Sequence, residues 1–296
     1  MDTKSAFIAI VGRPNVGKSS LMNRIMGEKI AIVSDKPQTT RNRITGVLTE
    51  GDTQLVFIDT PGLHKPKSRL GEYMVQQVTE SIGDVDAAVL VTEATGDITT
   101  IEKKLAEDIA ASGLPSILAL NKIDTLEKKE EMMGKMAEFS KLHNFDHVIP
   151  ISAVTGDGVD ILLSKLKEYA EESPHFFPDD TLTDQPERVI VSEIIREKVL
   201  LNMRDEIPHG IAVTIEMMKE RADKNIMDIH ATIMCERSSH KGMVIGKQGS
   251  MLKKIGSEAR PDIESFLDIK INLQLWVKVK EDWRNKESII HSLGFN

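Results

Sequence analysis

The chain has 296 residues, of which 40% are hydrophobic and 28% are charged, and this composition is that of an ordinary soluble globular protein of about two domains. Its longest apolar runs are too short to cross a bilayer, and its N-terminus lacks the charged and apolar regions of a signal peptide. Cys235 is the single cysteine, which excludes an intramolecular disulfide. We therefore expect a cytoplasmic protein in which Cys235 lies in a strand as a small buried hydrophobe.

The net charge of −8 is unevenly distributed along the chain. Residues 1–186 carry 20 basic and 29 acidic residues, whereas residues 187–296 carry 18 basic and 17 acidic residues. The acidic first part would repel a polyanion, and the second part would not. Residues 237–257 contain no acidic residue. On charge alone, this stretch is either a surface for a polyanion or a solvated basic face.

The first motif along the chain is a phosphate-binding loop. Residues 12–19 fit the pattern G-x-x-x-x-G-K-[ST], between an apolar run at 7–11 that predicts a buried strand and a stretch at 20–26 that predicts a helix ending at Gly27. In such loops the backbone N–H groups point at one phosphate and the lysine reaches the β- and γ-phosphates. The candidate nucleotide-binding residues are Gly12, Arg13, Pro14, Asn15, Val16, Gly17, Lys18, Ser19 and Ser20. Lys18 is also a candidate catalytic residue, and the Ser19 hydroxyl is a candidate Mg²⁺ ligand.

A polar segment at 34–43 contains a proline and lacks periodicity, so it is predicted to be a loop. Nucleotide switches place a threonine in this loop, and that threonine closes onto Mg²⁺ and the γ-phosphate. Thr39 and Thr40 are both candidates. The alternative is an ordinary threonine-rich turn.

Two strands are predicted at 44–49 and 54–58, and the second runs into an Asp-x-x-Gly motif. An aspartate at the end of a buried strand holds Mg²⁺ through water, and the glycine N–H can contact the γ-phosphate. The candidate residues are Asp59, Thr60, Pro61, Gly62 and Leu63. Ras-like proteins place a water-orienting glutamine where this chain has Leu63, which cannot orient water. His64 follows, and an ordinary exposed histidine is the simpler interpretation.

The following segment alternates between predicted helices and strands. The helices are 72–81, 102–111, 127–142 and 161–169, and the strands are 87–91, 116–120 and 147–151. The strand at 116–120 ends in Asn121, Lys122, Ile123 and Asp124, and the strand at 147–151 leads to Ser152 and Ala153. The Asp124 carboxylate can accept hydrogen bonds from guanine N1–H and its 2-amino group, which adenine does not offer. The Ser152–Ala153 backbone is expected to meet guanine O6.

These motifs occur in a fixed order, and each follows a predicted strand. Ligands bind at the carboxyl ends of strands in open α/β sheets. The sequence therefore predicts an α/β P-loop GTPase domain at 5–173, with a mostly parallel sheet between helices. GTP or GDP and Mg²⁺ are its expected ligands, with Ser19, the switch threonine and, through water, Asp59 around the metal.

A second domain follows a predicted linker at 174–187, which contains three prolines and no periodicity. Residues 188–296 predict an α+β domain in which a sheet is half covered by helices. Its helices are predicted at 191–202, 251–258 and 283–292, and its strands at 212–218, 226–236 and 269–279.

Between the second predicted strand of this domain and the next helix lies Gly246-Lys247-Gln248-Gly249. G-x-x-G in this position is the signature of a KH domain, in which the loop clamps an RNA backbone. The candidate RNA-binding residues are Arg237, Lys241, Gly246, Lys247, Gln248, Gly249, Lys253 and Lys254. The domain has few aromatic residues, and His240 is its candidate for stacking on a base. The alternative is a helix-start turn in a protein–protein domain.

Together these residues identify a resemblance to the Era family of bacterial ribosome-assembly GTPases, over about residues 5–292. It is carried by the motifs at 12–19, 38–41, 59–64 and 121–124 and by the segment from Glu236 to Gly256. The resemblance implies a GTPase domain followed by a type-2 KH domain, and it favours Thr40 as the switch threonine. It implies binding to 16S rRNA near its 3′ end and to the 30S precursor, and partial association with the inner membrane. We expect a monomer.

The resemblance also bears on hydrolysis, which we expect to be slow because Leu63 replaces the glutamine. In related GTPases without that glutamine, an asparagine matching Asn15 holds a potassium ion beside the phosphates. Asn15 braces the P-loop in the alternative interpretation, and a ribosomal arginine is the rival source of positive charge. A second functional hypothesis remains, in which the C-terminal domain docks a protein or a membrane surface rather than RNA.

Overall fold

A computed structural model describes residues 3–34, 36, 39–41, 43–61, 68–70, 72–74, 85–203, 210–222 and 225–293. The chain divides into two compact units. The first extends to Asp184, and the second begins at Gln185 and includes the described residues of 32–39 and 67–70. Among the described residues, no helix combines the length and the apolar character needed to cross a bilayer.

The first unit is built on a twisted, mostly parallel sheet. Within the described residues its strands are β1 (Lys4–Val11), β2 (Ile44–Glu50), β3 (Thr53–Asp59), β4 (Ala87–Glu93), β5 (Ser116–Asn121), β6 (His147–Pro150) and β7 (Glu171–Glu172). The sheet order is β2-β3-β1-β4-β5-β6, with β2 antiparallel to β3 and the short β7 antiparallel to β1. Buried apolar clusters lie on both faces of the sheet, which explains why its inner strands are near-continuous apolar runs.

Helices that the structure describes in full connect these strands of the first unit: α1 (Lys18–Met26), α2 (Thr100–Ser112), α3 (Lys129–Leu142) and α4 (Val159–Lys167). Helix α1 ends at Gly27, as predicted, in the left-handed conformation with φ 69°. Helix α2 starts with a capping box, in which Thr99 and Glu102 satisfy each other's backbone N–H groups. These local signals fix where the helices begin and end.

The segment predicted as a linker is extended, and its contacts run along the first unit as far as Asp184. Gln54 accepts hydrogen bonds from the N–H groups of Phe176 and Phe177 at 2.8 and 3.0 Å. The Val47 N–H donates to Leu182 O at 2.9 Å. The proline-rich composition therefore marks an extended strap, and several of its backbone groups bond to β2 and β3 rather than to water.

The second unit is an α+β domain with a three-stranded sheet. Its elements within the described residues are α5 (Glu187–Asn202), β8 (Ile211–Glu220), β9 (Ile226–Cys235), α6 (Ser238–Ile245), α7 (Ser250–Leu267), β10 (Lys270–Val279) and α8 (Glu287–Ser292). Central β9 is antiparallel to β8 and parallel to β10. A buried apolar cluster joins one face of the sheet to α5 and α7. Cys235 is buried in it, as predicted, and burial raises the pKa of its thiol to about 11.

The structure corrects several element predictions. Helix α6 was not predicted, although it directly precedes the G-x-x-G loop. The predicted helix at 283–292 is a 3₁₀ turn at Trp283–Asn285 followed by α8, and the predicted helix at 127–142 starts two residues later, at Lys129. Of the predicted helix at 72–81, only residues 72–74 are described, and they are helical. The predicted fold classes of both domains are confirmed.

Candidate nucleotide and RNA sites

The phosphate loop lies between the end of β1 and the start of α1. Asn15 and Gly17 both have positive φ, 65° and 100°, so the backbone curls tightly before α1. A Cβ at Gly17 would lie 2.2 Å from Asn121 Nδ2, so only glycine lets the asparagine side chain pass behind the loop. Lys18 is buried, and its ammonium donates to the carbonyls of Gly12 and Arg13 at 3.2 and 3.1 Å. The Lys18 side chain thus bonds back to the first residues of the phosphate loop.

Three side-chain oxygen groups meet at the start of α1. Ser19 Oγ donates to Asp59 Oδ2 at 2.8 Å and lies 2.8 Å from Thr40 Oγ1. Thr39 lies elsewhere, with its hydroxyl donated to Lys36 O at 2.6 Å. Asp59 is fully buried, and its Oδ1 has no hydrogen-bond partner within the described part of the chain. A buried carboxylate oxygen without a partner, beside two hydroxyls, is a donor set that suits a hard cation such as Mg²⁺.

Burial changes the proton affinity of the two charged groups in this site. Burial raises the pKa of Asp59 to about 6, and the Lys18 charge and the Ser19 hydrogen bond oppose that rise. Burial also lowers the pKa of Lys18 to about 8, against the opposing effect of the Asp59 charge. Both groups are therefore costly to keep charged without a ligand, and an Mg²⁺–phosphate pair would satisfy both charges.

The base-binding motifs meet at the ends of β5 and β6. Asn121 Nδ2 donates to Val16 O at 2.7 Å, and Asn121 Oδ1 accepts from the Ala153 N–H at 2.9 Å. Asp124 is exposed, and one of its carboxylate oxygens accepts from Ser152 Oγ at 2.6 Å. Within the Ser152–Ala153 backbone, which we expect to meet guanine O6, the Ala153 N–H is donated to Asn121. Hydrogen bonds thus join the two motifs through Asn121, Asp124, Ser152 and Ala153, and Asn121 also bonds to the phosphate loop.

Two further side chains, Arg24 and Glu93, bond to residues of these motifs, and no local sequence pattern predicts either. Arg24 of α1 donates from Nε to Ala153 O at 3.2 Å and also bonds Val154 O. Glu93, at the end of β4, accepts hydrogen bonds from Arg13 and Lys122. Arg13 and Glu93 are 80 residues apart in the chain, so no local pattern reveals the pairing.

The candidate RNA site of the second unit is the connection between α6 and α7. Gly246 and Gly249 have φ of 73° and 78°, and Gln248 between them has φ 52°. A Cβ at Gly246 would lie 2.7 Å from the Met251 Cβ and 2.8 Å from its backbone N, so a side chain there collides with the start of α7. The loop therefore brings its backbone close to the N-terminus of an 18-residue helix.

The predicted basic residues surround this connection. Arg237, Lys247, Lys253 and Lys254 are exposed and Lys241 is half-buried. Lys254 lies 3.7 Å from Glu258, and in the part of the chain that the structure describes Lys247 and Lys253 form no ion pair. His240 is buried at 8% exposure, so its expected role in stacking is wrong. Among the described residues of this unit, Trp276 of β10 has an exposed aromatic ring, which lies 5.1 Å from that of His230.

Some predicted site residues lie outside the described residues. These are Gly62, Leu63 and His64. Thr60 and Pro61 are described, and the Thr60 hydroxyl donates to Ile10 O at 3.1 Å.

Family models match both units of the chain. A model described as a 50S ribosome-binding GTPase matches residues 7–122, and a KH domain model matches residues 206–284. The chain is 53% identical to the GTPase Era of Clostridioides difficile over 293 residues, which cover 99% of each chain. It is 52% identical to the GTPase Era of Ruminiclostridium cellulolyticum, over 100% of this chain and 98% of that one.

Two solved structures are similar over 99% of both chains, each with 35% identity and a TM-score of 0.95. One is an Aquifex aeolicus Era variant bound to GDP·AlF₄⁻. The other is Era in complex with MgGDPNP and nucleotides 1506–1542 of 16S ribosomal RNA.

Proposed function

The chain belongs to the Era family of GTPases, and on that premise we propose that its first unit hydrolyses GTP with the residues described above while its second unit binds 16S rRNA near the 3′ end. The chain is a GTPase with a KH domain, and GTP or GDP and magnesium are its ligands. The observation that carries the RNA assignment is the similarity, over 99% of both chains, to an Era that holds nucleotides 1506–1542 of that RNA.

In the first unit the side chains divide the work of binding. Asp124 accepts from the guanine edge, and Lys18 neutralises phosphate charge. Asn121 fixes the phosphate loop to the base loop, which is formed by residues 121–124. Magnesium, when bound, would neutralise further charge on the phosphates, and Ser19, Thr40 and Asp59 would hold it, Asp59 through water. The Gly62 N–H would contact the γ-phosphate. Leu63 offers no group to orient water, so intrinsic hydrolysis is slow.

In the second unit the G-x-x-G backbone and the N-terminus of α7 approach the RNA phosphates, and exposed lysines supply the charge. Counterion release makes such binding fall steeply with salt. The test measures the affinity of the full chain for an RNA with the sequence of nucleotides 1506–1542 and for a scrambled RNA. The affinity for the first RNA is expected to fall at least about tenfold between 50 and 200 mM salt. Equal binding of both RNAs would show that the unit does not recognise this sequence, and failure to bind either RNA would favour a protein or membrane surface as its partner.

The potassium assignment rests on the position of Asn15 within the phosphate loop. Asn15 has a φ of 65° and lies in the tight turn before Gly17. An amide oxygen is a suitable ligand for a hard cation, and a potassium ion there would neutralise the charge that develops on the leaving group. The rivals are a bracing role for Asn15 and an arginine supplied by the ribosome.

The cellular role follows from the family. We propose that the chain acts as a monomer in the cytoplasm, binds the 30S precursor and assists assembly of the small ribosomal subunit. A fraction of the molecules would associate peripherally with the inner membrane. Sedimentation of the chain with 30S precursors, at low and high salt, tests the first partner, and flotation with lipid vesicles tests the second.

A further inference from the structure

One carboxylate of the first unit bonds to both halves of the nucleotide site. Glu93 is the last residue of β4, where it is in register with Asn121 of β5. Its Oε2 accepts from the Arg13 guanidinium, and its Oε1 accepts from the Lys122 ammonium. Arg13 belongs to the phosphate loop and Lys122 to the base loop, so a single side chain spans the two loops.

The Arg13 end of this bridge is itself fixed. Arg13 Nε lies 3.4 Å from Oε1 of Glu102, whose side chain is fully buried. Glu102 accepts from the Thr92 hydroxyl and, at 2.8 and 2.7 Å, from the N–H and hydroxyl of Thr99. Lys135 lies 3.9 Å from the same carboxylate. Arg13 is thus held between two carboxylates, one of which is anchored in the core.

The Lys122 end lies where the backbone is constrained. Lys122 is a non-glycine residue with φ 68°, a conformation that is sparsely populated unless its surroundings impose it. Its side chain is 36% exposed and that of Glu93 is 26% exposed, so solvent screens their attraction only in part. Burial opposes ionisation of Glu93, but the Lys122 hydrogen bond and the Arg13 charge lower its pKa, and the carboxylate stays charged at neutral pH.

We propose that Glu93 is a positioning residue that sets the spacing between the phosphate loop and the base loop. Fixing that spacing lets one ligand engage both subsites without first ordering them, which raises the affinity for a whole nucleotide above what the separate subsites give. A ligand that occupies only one subsite gains nothing from the bridge. The proposal rests on guanine nucleotide binding by the first unit.

The test is Glu93→Gln in the full chain, because glutamine keeps the shape and removes the charge. Affinities for Mg·GDP, guanosine and pyrophosphate are measured by competition against a fluorescent GDP. GDP affinity is expected to fall about tenfold, with the guanosine and pyrophosphate affinities within about twofold of wild type. In steady state, KM for GTP rises and kcat stays within about twofold. Failure of the wild type to bind GDP would instead refute nucleotide binding itself.

Two outcomes would overturn the proposal. If Glu93→Gln lowers the melting temperature but leaves GDP affinity unchanged, the bridge only stabilises the fold. If guanosine affinity falls as far as GDP affinity, Glu93 acts on the base loop alone. Glu50→Gln is the matched control, since it removes an ion pair with Lys167 in the same unit, and it should leave all three affinities unchanged.

Arg13→Met provides an independent variant. If Glu93 acts through Arg13, the two losses are not additive. The double variant, Arg13→Met with Glu93→Gln, should then bind GDP no more weakly than whichever single variant binds it less tightly. Additive losses would show two separate roles and would overturn the bridge. If Glu93→Gln does not fold, Arg13→Met alone must lower GDP affinity while leaving the guanosine and pyrophosphate affinities within about twofold of wild type.

Discussion

The two candidate sites of this chain are built in opposite ways. In the nucleotide site Lys18, Asp59 and Asn121 are buried, and hydrogen bonds join Ser19 to Asp59 and Asn121 to the phosphate loop. In the RNA site Lys247 and Lys253 are exposed, and what is fixed is the backbone. A small ligand is distinguished by a few polar groups held in place, whereas a polyanion is held by many screened charges. Substitutions should therefore change specificity at the first site, and affinity and salt dependence at the second.

The sharpest separation of the two sites should come from Asp124→Asn. The change replaces one acceptor with an amide donor, which would face the donors of guanine and leave the polar groups on both sides unpaired. GTP affinity should fall by roughly a hundredfold or more, and affinity for xanthosine triphosphate, which offers a carbonyl there, should rise. Binding of 16S rRNA should not change. Calorimetry with the two nucleotides measures the first effects.

The control for this prediction is Asp157→Asn. Asp157 is also exposed and accepts a hydrogen bond from Thr155 at 2.8 Å in the loop that follows Ser152. Its substitution should leave GTP affinity within about twofold of wild type. Equal GTP affinity in Asp124→Asn and wild type would contradict the assignment of Asp124 to the guanine edge.

The sequence predicted those parts of the sites whose residues are close together in the chain, and it missed those whose partners are distant. The phosphate loop, its strand and its helix are contiguous, so composition and spacing located them, and α1 begins two residues before its predicted start. The base motifs were found because each follows a strand. Glu93 and Arg24 were missed because their partners are distant in the chain, and only the folded sheet brings them together.

The unpredicted helix α6 shows a different limit. Its eight residues include Gly242 and the β-branched Val244 and Ile245, and its N-cap residue, Arg237, makes no side-chain capping bond. Intrinsic propensity for a helix is weak in such a segment. Burial of Val244 in the core of the second unit stabilises it instead, and tertiary packing of this kind is not visible as a local pattern.

The buried charge of Asp59 should appear as a pH-dependent stability of the first unit. Burial raises the pKa of Asp59 from 3.8 to about 6, so the folded chain takes up its proton more readily than the unfolded chain. The stabilisation from this group is fully present below about pH 4 and is lost as the pH rises through about 6. Between pH 4 and pH 7, Asp59→Asn should gain up to about 3 kcal/mol in unfolding free energy relative to wild type.

This prediction is checked by urea unfolding of the nucleotide-free chain at both pH values. Circular dichroism follows both units, whereas Trp276 and Trp283, the chain's two tryptophans, both lie in the second unit and report on it alone. The fluorescence transition should be the same in variant and wild type. A stability difference that does not change with pH would show that Asp59 is not held at a raised pKa.

The second site should be weakened on its own by Gly249→Asp. A Cβ at Gly249 meets no atom within 4 Å, and aspartate adopts a positive φ such as 78° more readily than most residues do. The remaining backbone strain should leave the fold intact, whereas a side chain at Gly246 collides with the start of α7. The new carboxylate would face RNA phosphate. RNA affinity should fall about tenfold or more, about 1.4 kcal/mol, with GTP affinity unchanged.

The matched control for Gly249→Asp is Gly51→Asp in the turn between β2 and β3. Gly51 also has positive φ, 66°, and also has open space around its Cβ position. It carries the same backbone strain and the same added charge, so any loss of RNA binding that it shares is not due to the loop. Unchanged RNA binding in a folded Gly249→Asp variant would remove the KH loop from the RNA site.

The smallest expected effect is a difference between sodium and potassium, which should change GTP turnover at the first site but not RNA affinity at the second. Sodium and potassium at equal concentration screen phosphates alike, so RNA affinity should be the same in NaCl and KCl. GTP turnover should be several-fold faster in KCl, because an ion held by Asn15 neutralises leaving-group charge only if it fits the site. Steady-state turnover of the full chain in both salts, with Asn15→Ala alongside, measures this. The variant should lose the difference between salts and still bind GDP. Identical wild-type rates in the two salts would leave a residue supplied by the ribosome as the better account of hydrolysis. The positive charge needed for hydrolysis would then come from a partner, so hydrolysis at the first site would depend on that partner.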